Sequence, residues 1–172
     1  MIVVDANLLI DALFEGNPER RKLALEFFRL IQGRPVYVPR IFIVEVLSVG
    51  RRLGVKLDYH TLMGLIEEFN VKTEEELFNL AVYVSENVHP RAVDAYYIAT
   101  AILTGSILVS NDRIMVKNSR KADIEAFYLL EELKNWKNVY QPYNFSTSSS
   151  SLFSFPLNLL SWSFAMATIL SM

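Results

Sequence analysis

The sequence predicts an α/β fold in which a central, mainly parallel, twisted sheet of about four to five strands lies between two layers of helices. Short apolar segments typical of buried strands alternate with longer segments in which apolar residues recur at helical spacing. This alternation favours a parallel sheet covered by helices on both faces. With 172 residues, the chain is long enough to form one domain with a substantial core.

The first half of the chain contains clear signals for the ends of elements. Asn17 followed by Pro18 is typical of a helix start with Asn17 as the N-cap, and Gly33 ends that helix. Gly54 ends the helix that carries Glu45. The predicted elements are, in order, a strand over residues 2–5, a short helix or turn over 6–10, a helix from 18 to about 31, a strand over 36–38 and a helix over 40–53.

The second half continues the alternation. Asp58 is placed to cap a helix, and Thr73 with Glu76 fits a capping box, in which each side chain accepts from a free amide of the first turn. Gly105 ends a later helix. The predicted elements are helices over residues 58–69, 73–86 and 93–103, strands over 106–109 and 124–127, and a short closing helix to about residue 136.

The C-terminal segment differs in composition from the rest of the chain. Residues 138–172 contain no Asp, Glu, Lys or Arg, and a serine-rich stretch over 146–151 precedes a mostly apolar run. We therefore expect a domain over residues 1–137 and an uncharged tail over 138–172. Membrane contact through the tail is an alternative that is not favoured, because Pro156, Asn158 and several serines interrupt the run. Packing on the domain or on a second copy of the chain, or a non-native extension, are the other interpretations.

Composition excludes several kinds of chemistry. The absence of cysteine excludes disulfides, thiolate metal sites and a cysteine nucleophile. The net charge of −2, from 17 basic and 19 acidic residues, does not by itself indicate a nucleic-acid-binding protein. No nucleophile elbow, P-loop or dinucleotide-binding glycine motif is found in the sequence. The N-terminus lacks the pattern of a signal peptide, so the cytoplasm is the expected compartment.

Four carboxylates stand beside apolar residues at the ends of predicted elements: Asp5, Glu45, Asp94 and Asp112. A carboxylate near a core is costly unless it is paired or bound to a cation. In parallel sheets ligands bind at the carboxyl ends of the strands, where Asp5 and Asp112 are expected, and Glu45 and Asp94 could face the same cleft. The four acids therefore predict a site for Mg²⁺ or Mn²⁺. Zinc is disfavoured, because cysteine is absent and the two histidines, His60 and His89, are isolated and expected to be structural or solvent-facing.

With these residues, the sequence resembles the PIN-domain ribonucleases, in particular the toxin-type proteins of prokaryotic VapBC pairs. The matching segments are Val4-Asp5-Ala6-Asn7-Leu8-Leu9, Ile43-Val44-Glu45-Val46, Asp94-Ala95-Tyr96-Tyr97-Ile98-Ala99 and Val109-Ser110-Asn111-Asp112. Their order and spacing agree with the family across residues 1 to about 137. After Asp112 the chain departs from the family pattern, because it reads Arg113-Ile114-Met115 where an aromatic or acidic residue often follows.

The resemblance implies a PIN-like fold and Mg²⁺- or Mn²⁺-dependent hydrolysis of RNA phosphodiester bonds that leaves 5′-phosphate and 3′-hydroxyl ends. It implies that Asn7 and Ser110 orient the acids or a metal-bound water. The residues that it marks as both catalytic and metal-binding are Asp5, Glu45, Asp94 and Asp112. Toxin-type members are usually homodimers inhibited by a small antitoxin, so the implied partners are an RNA substrate, a second copy of the chain and a small antitoxin protein.

Binding of RNA requires cations around this acidic centre. The basic residues that follow Asp112 most closely are the leading candidates: Arg113, Lys117, Arg120 and Lys121. Two further basic groups lie at residues 20–22 and 51–56. Contacts of this kind would position the RNA without reading its sequence. Ordinary solvated helix faces are an equally good interpretation of each group.

Each acid of the quartet also has an ordinary structural interpretation. Asp5, Asp94 and Asp112 could cap helices or form turns, and Glu45 could be a solvated helix residue. Two neighbouring acids, Asp11 and Glu15, are expected at the solvated surface.

Two other functions compete with a ribonuclease. A haloacid-dehalogenase-like phosphatase also begins with an aspartate after its first strand, but it needs a second acid two residues later, where this chain has Asn7. A non-cleaving PIN-like module for RNA binding or RNA processing is the second alternative. The usual mark of such a module is the loss of one of the four acids, and all four are present here.

Overall fold

A computed structural model of the chain describes residues 1–133. The strands are β1 (Ile2–Val4), β2 (Val36–Pro39), β3 (Asn70–Lys72), β4 (Ile107–Ser110) and β5 (Ala126–Tyr128). The helices are α1 (Ala6–Phe14), α2 (Pro18–Leu30), α3 (Ile41–Arg52), α4 (Tyr59–Leu65), α5 (Glu74–Asn87), α6 (Ala92–Thr104) and α7 (Arg113–Lys121). The five strands form one sheet in the order β3-β2-β1-β4-β5, and every neighbouring pair is parallel. The predicted α/β fold with a parallel sheet is confirmed.

Strand β1 is the central strand and determines where the site lies. Ile2 is aligned with Val36 of β2 on one side and with Ile107 of β4 on the other. All three residues of β1 are buried, which explains why the segment is uniformly apolar. The chain leaves the sheet at Asp5, whose amide donates to the carbonyl of Val109 over 3.1 Å. This is the point at which successive strands diverge to opposite sides of β1, where parallel sheets open a ligand crevice.

The helices pack over the sheet and hold the residues that surround this crevice. Helix α6 packs against β1, β2 and β4 and also against α5, while α1 contacts α2 and α3. Helix α7 packs against β4 and β5. Ala95 and Ala99 of α6 are fully buried, and their short side chains allow the helix to lie close to its neighbours. The first turn of α6, which carries Asp94, is thereby fixed near the end of β1.

Most of the predicted helix ends are confirmed. The side chain of Asn17 accepts from the amides of Glu19 and Arg20. Thr73 and Glu76 form both hydrogen bonds of the predicted capping box. Gly105, with a φ of 58°, adopts the left-handed conformation that glycine tolerates best.

Two elements were missed by the sequence analysis. Strand β3 has only three residues, Asn70–Lys72, and is too short and too polar to show an alternating pattern. Helix α7 has only three apolar residues in its first half and was interpreted as a basic cluster. The signal for it is Asp112, whose carboxylate accepts from the amides of Ile114 and Met115 as an N-cap.

The predicted domain boundary at residue 137 and the tail over 138–172 lie outside the described residues, as does the end of the predicted closing helix. Residues 129–133 are helical and follow β5 directly. Within residues 1–133, no helix combines the length and the apolar character needed to cross a bilayer.

Candidate active site

Asp5 lies at the centre of the candidate site, directly after the central strand. Its side chain caps α1 by accepting from the amide of Asn7, and only 7% of the residue is exposed. Burial raises the pKa of the Asp5 carboxyl to about 7, although hydrogen bonds from Ser110 and Asn7 act in the opposite direction. The nearby negative charges of Glu45 and Asp94 raise the pKa further. Three of the predicted acids therefore interact electrostatically around this position.

The predicted orienting residues Asn7 and Ser110 join β1 to the loop after β4. The Ser110 hydroxyl donates to Asp5, and the same Ser110 oxygen accepts from the backbone amide of Asp112 over 2.8 Å. The Asn7 side-chain amide donates to Asp5 and to the Ser110 hydroxyl. Its carbonyl oxygen accepts from the amide of Asn111 over 3.1 Å. Asp5 and Asp112 are thus held in one hydrogen-bonded unit that spans two neighbouring strands.

Glu45 projects from α3 and is half-buried. Its carboxylate accepts a hydrogen bond from the hydroxyl of Tyr97, a residue of α6 that is almost completely buried. Burial raises the pKa of Glu45, as does the charge of Asp94, and the Tyr97 hydrogen bond offsets part of the effect. The contact of the Tyr97 hydroxyl with Glu45 was not predicted from the sequence, because the two residues lie 52 positions apart.

Asp94 and Asp112 are joined by a third charged residue, Arg91. Its Nη2 lies 2.5 Å from Oδ2 of Asp94 and also forms an ion pair with Oδ2 of Asp112. Partial burial alone would raise the pKa of Asp112, but the hydrogen bonds from Arg91 and from two backbone amides of α7 outweigh it and lower that pKa. The hydrogen bond to Asp112 raises the pKa of Arg91. Nothing in the sequence marked Arg91, because its partners lie three and 21 residues away.

His89 is a second residue that the sequence analysis missed. Of the two expectations for His89, structural or solvent-facing, the buried ring agrees with the structural one, but its contact with the site was not predicted. The ring is 1% exposed and its Nε2 lies 2.8 Å from Oδ2 of Asp94. Its Nδ1 lies 3.0 Å from the side-chain amide nitrogen of Asn118 on α7. The same Nε2 lies 3.2 Å from Nε of Arg91, so the ring contacts both Asp94 and the arginine beside it. His89 therefore orients Asp94 from the buried side of the site.

The prediction of a solvated Asp11 is also wrong. Only 3% of Asp11 is exposed, and its carboxylate accepts from the side chains of Arg20, at 2.9 Å, and Asn111, at 2.6 Å. Asn111 in turn accepts from the amide of Leu130 over 3.2 Å. Asp11 thus supports the loop that carries Asp112, and its ion pair with Arg20 explains its burial.

The basic residues proposed for RNA binding divide into two pairs on α7. Arg113 forms an ion pair with Glu131 and lies over the ring of Tyr128, while Arg120 forms an ion pair with Glu132 at 2.5 Å. These two arginines are therefore engaged within the domain. The other two, Lys117 and Lys121, are exposed, and no ion pair of either is found within residues 1–133.

The residues present suit a divalent cation. Carboxylates are the ligands that Mg²⁺ and Mn²⁺ prefer. Burial is the main cause of the raised pKa of Asp5 and Glu45, and a bound cation would relieve the repulsion by neighbouring acids that adds to it. Among residues 1–133, no three acid or histidine side chains are grouped closely enough to hold one ion in the observed arrangement. In this arrangement Glu45 is bonded to Tyr97, and Asp94 and Asp112 are paired with Arg91.

The fold and the site define an α/β protein with an acidic crevice at the carboxyl end of a parallel sheet. A family model for the PIN domain matches residues 2–121, and the chain belongs to that family. PIN domains are in general nucleases that depend on divalent metal ions.

Solved structures show the same fold. A toxin-antitoxin complex from Klebsiella pneumoniae contains a chain with 24% sequence identity and a TM-score of 0.50, over 65% of this chain and 87% of that one. The FitAcB structure from Neisseria gonorrhoeae contains a chain with 18% identity and a TM-score of 0.52, over 74% of this chain and 96% of that one. No curated protein matches the sequence.

Proposed function

We propose that the protein is a Mg²⁺- or Mn²⁺-dependent endoribonuclease that hydrolyses phosphodiester bonds in RNA. The observation that carries the proposal is the group of four acids around the end of β1. Within this group Asp5 is buried, and the negative charges of Glu45 and Asp94 disfavour its ionisation. A buried carboxylate with a strongly raised pKa in a crevice is typical of a functional site. Membership of the PIN domain family supports the same assignment.

The residues proposed to hold the cation are Asp5, Glu45, Asp94 and Asp112. When bound, a divalent cation supplies activation of water and neutralisation of negative charge on the phosphoryl oxygens. Ser110 and Asn7 keep the Asp5 carboxylate in one orientation, because both donate to it. Tyr97 and His89 do the same for Glu45 and Asp94.

Substrate binding is proposed to use cations on the rim of this site. An open groove of about 770 Å³ runs beside Glu45 and is lined at its other end by Arg51 and Arg52. Lys117 and Lys121 are exposed on α7, which begins at Asp112. Both pairs can contact phosphates of an RNA strand that passes over the acids, whereas Arg113 and Arg120 would first have to leave their glutamate partners.

We also propose that the protein is the toxin of a VapBC-type pair, acts as a homodimer and is inhibited by a small antitoxin protein. The similarity in fold to a chain of a toxin-antitoxin complex supports this proposal. We expect the protein to copurify with the product of a short adjacent gene. That product should also inhibit the cleavage of RNA by the protein. The mass of the purified protein in solution distinguishes a dimer from a monomer.

The alternative is a PIN-like module that binds RNA without cleaving it. Retention of all four acids disfavours this alternative, because a binding module has no need of repelling carboxylates around a buried aspartate. The two functions differ in one measurable property, since only the nuclease consumes its RNA.

The test is cleavage of a mixed pool of structured RNAs in the presence of Mn²⁺. We expect cleavage by the wild-type protein and a loss of at least about 100-fold in Asp5→Asn and Asp94→Asn, because each substitution removes one proposed metal ligand. The added chelator EDTA should abolish the wild-type activity.

The matched control is Asp58→Asn. Asp58 is an exposed helix cap remote from the quartet in sequence, and asparagine caps a helix equally well, so this variant should cleave normally. Binding of RNA without cleavage by the wild-type protein in Mn²⁺ would contradict the proposal and favour the binding module.

A further inference from the structure

Arg91 brings a positive charge into the centre of the acidic site. It precedes α6 and has no capping hydrogen bond from its side chain. Its guanidinium forms ion pairs with two of the four acids, Asp94 from α6 and Asp112 from the loop after β4. The negative charge of Asp5 also favours the charged form of Arg91. The guanidinium therefore neutralises the part of the quartet that lies between the two strand ends and α6.

The contacts of Asp112 indicate which of its oxygens is available to a ligand. Its Oδ1 accepts from the amides of Ile114 and Met115 and is committed to capping α7. Its Oδ2 faces Arg91. In Asp94 it is likewise Oδ2 that contacts both Arg91 and His89. Arg91 thus occupies the two carboxylate oxygens that converge.

A divalent cation and a guanidinium cannot share these oxygens without strong repulsion, because like charges a few ångströms apart repel even at the protein surface. Binding of the cation to Asp94 and Asp112 therefore requires Arg91 to move. Movement is feasible, because 51% of the Arg91 side chain is exposed. Besides its two ion pairs, the guanidinium would give up the hydrogen bond from its Nε to Nε2 of His89. His89 stays behind the site, because it is buried and bonded to Asn118.

We propose that Arg91 is an internal counter-ion that a divalent cation must displace from Asp94 and Asp112, so that Arg91 sets the metal affinity of the site. The inference rests on the proposed metal-dependent function. It explains why the acids are separated in the observed arrangement, since each of the two carboxylates is turned toward the guanidinium. Loss of the Arg91 charge should strengthen metal binding, whereas loss of a ligand should weaken it.

The experiment is a titration of the full-length protein with Mn²⁺, in which free Mn²⁺ is measured by electron paramagnetic resonance. We expect Arg91→Gln to lower the dissociation constant of Mn²⁺ by about tenfold, because the substitution removes two competing ion pairs, each of up to about 1 kcal/mol. Arg91→Lys keeps the charge but not the guanidinium geometry and should lie between wild type and Arg91→Gln. Asp94→Asn should bind Mn²⁺ more weakly than wild type.

Arg40→Gln is the matched control. The Arg40 side chain is 52% exposed and forms ion pairs with two acids, Glu74 and Glu75, but none of them belongs to the quartet. Its substitution should leave the dissociation constant unchanged. The stabilisation of each variant by Mn²⁺ on thermal unfolding gives a second readout, because tighter binding to the folded state raises the melting temperature more.

The outcomes separate the two proposals. Tighter binding in Arg91→Gln, with Arg40→Gln unchanged, supports the counter-ion. Equal or weaker binding in Arg91→Gln, when the wild type binds Mn²⁺, overturns the counter-ion and leaves the proposed function intact. Absence of Mn²⁺ binding in both the wild type and Arg91→Gln overturns the metal site and the counter-ion together.

Discussion

At the scale of single residues, the site carries an electrostatic cost that is concentrated at Asp5. Its carboxyl group is buried at the end of the central strand, beside the charges of Glu45 and Asp94. Hydrogen bonds from Ser110 and Asn7 reduce the cost of ionisation but do not cancel it. A protein without a cation-binding function has no reason to retain such a carboxylate, because asparagine could keep the cap of α1. This cost is consistent with the proposed cation site, and it should be measurable as a lower free energy of unfolding of the metal-free protein.

We predict that Asp5→Asn stabilises the metal-free protein at pH 8. The pKa of Asp5 is about 7 in the folded state and 3.8 without the fold, so between these values the folded state binds a proton that the unfolded state has lost. The stabilising effect of that proton is complete below about pH 4 and is lost as the pH rises through 7. Asparagine does not titrate, so the free energy of unfolding of Asp5→Asn should rise relative to that of wild type between pH 4 and pH 8. The difference should reach about 4 kcal/mol at pH 8.

The measurement is urea unfolding of both proteins in EDTA at several pH values, with Asp58→Asn as the control for an exposed aspartate cap. The pKa of Asp58 is lowered by its hydrogen bonds to Thr61, so its substitution should show no comparable gain. A difference between Asp5→Asn and wild type that stays constant from pH 4 to pH 8 would contradict the raised pKa.

Only some residues of the candidate site can be predicted from the sequence. Asp5, Asp94 and Asp112 could be predicted because each follows or opens a recognisable element. Arg91, His89 and Asn118 could not, because their contacts are set by how α6 and α7 lie against the sheet rather than by any local pattern. The acids can be named from the sequence as candidates, but the groups that contact them cannot.

At the scale of elements, two site acids also start helices. Asp5 caps α1 and Asp112 caps α7, and in each case one carboxylate oxygen is used for the cap. The structural and functional interpretations of these acids are therefore compatible. A helix N-terminus fixes the orientation of the side chain, and its dipole favours the ionised form. The other oxygen contacts side chains of the site, Asn7 and Ser110 in the case of Asp5 and Arg91 in the case of Asp112.

We predict that the two roles of Asp112 can be separated by paired substitutions. Asp112→Asn keeps an oxygen that can cap α7 but loses the charge, whereas Asp112→Ala loses both. Both variants should lose cleavage, and Asp112→Ala should be the less stable by about 1 kcal/mol, or roughly 2–4 °C in melting temperature.

The reference pair is Asp58→Asn and Asp58→Ala on α4, where the aspartate caps a helix outside the quartet. This pair should show a similar difference in stability and no loss of cleavage. Equal melting temperatures for the two Asp112 variants would indicate that the cap does not stabilise α7.

The elements that could be predicted from the sequence are those whose ends are marked by a stabilising contact between a few neighbouring residues. Asn17 with Pro18 and Thr73 with Glu76 each satisfy free amides at a helix start, so they are readable wherever they occur. Strand β3 has no such signature, because it exists by pairing with β2 at the edge of the sheet. Its three residues are stabilised by tertiary structure rather than by their own propensity.

At the scale of the whole molecule, the order of the strands accounts for the convergence of acids that are more than 100 residues apart in sequence. Because β1 is the neighbour of both β2 and β4, the loops after β1 and β4 meet, and the helix after β2 brings Glu45 to the same edge. The sequence predicted this edge from the general rule for parallel sheets. The order of the strands itself was not predicted, because it is set by pairing between segments that lie far apart in the sequence.

The net charge of the protein leads to a prediction about how the protein binds RNA. Since the net charge is −2, attraction of RNA cannot come from the protein as a whole and must come from a few local cations. Lys117 and Lys121 on α7 are exposed beside the site. If both contact phosphates, the affinity for single-stranded RNA should fall with salt, and Lys117→Gln combined with Lys121→Gln should reduce the slope of log K against log salt by about 1.4. Fluorescence anisotropy in EDTA measures this slope without cleavage.

A double variant on α2 provides the comparison. Lys22→Gln with Arg29→Gln removes the same charge from a different helix, so it changes the net charge of the protein equally. If the slope falls only for the α7 pair, RNA lies over the face that begins at Asp112. If both pairs reduce the slope equally, the attraction is a property of the overall charge and the α7 face is not the RNA-binding surface. A reduction for the α2 pair alone would place the RNA on the helix that carries Lys22 and Arg29, so this comparison also decides between α2 and α7.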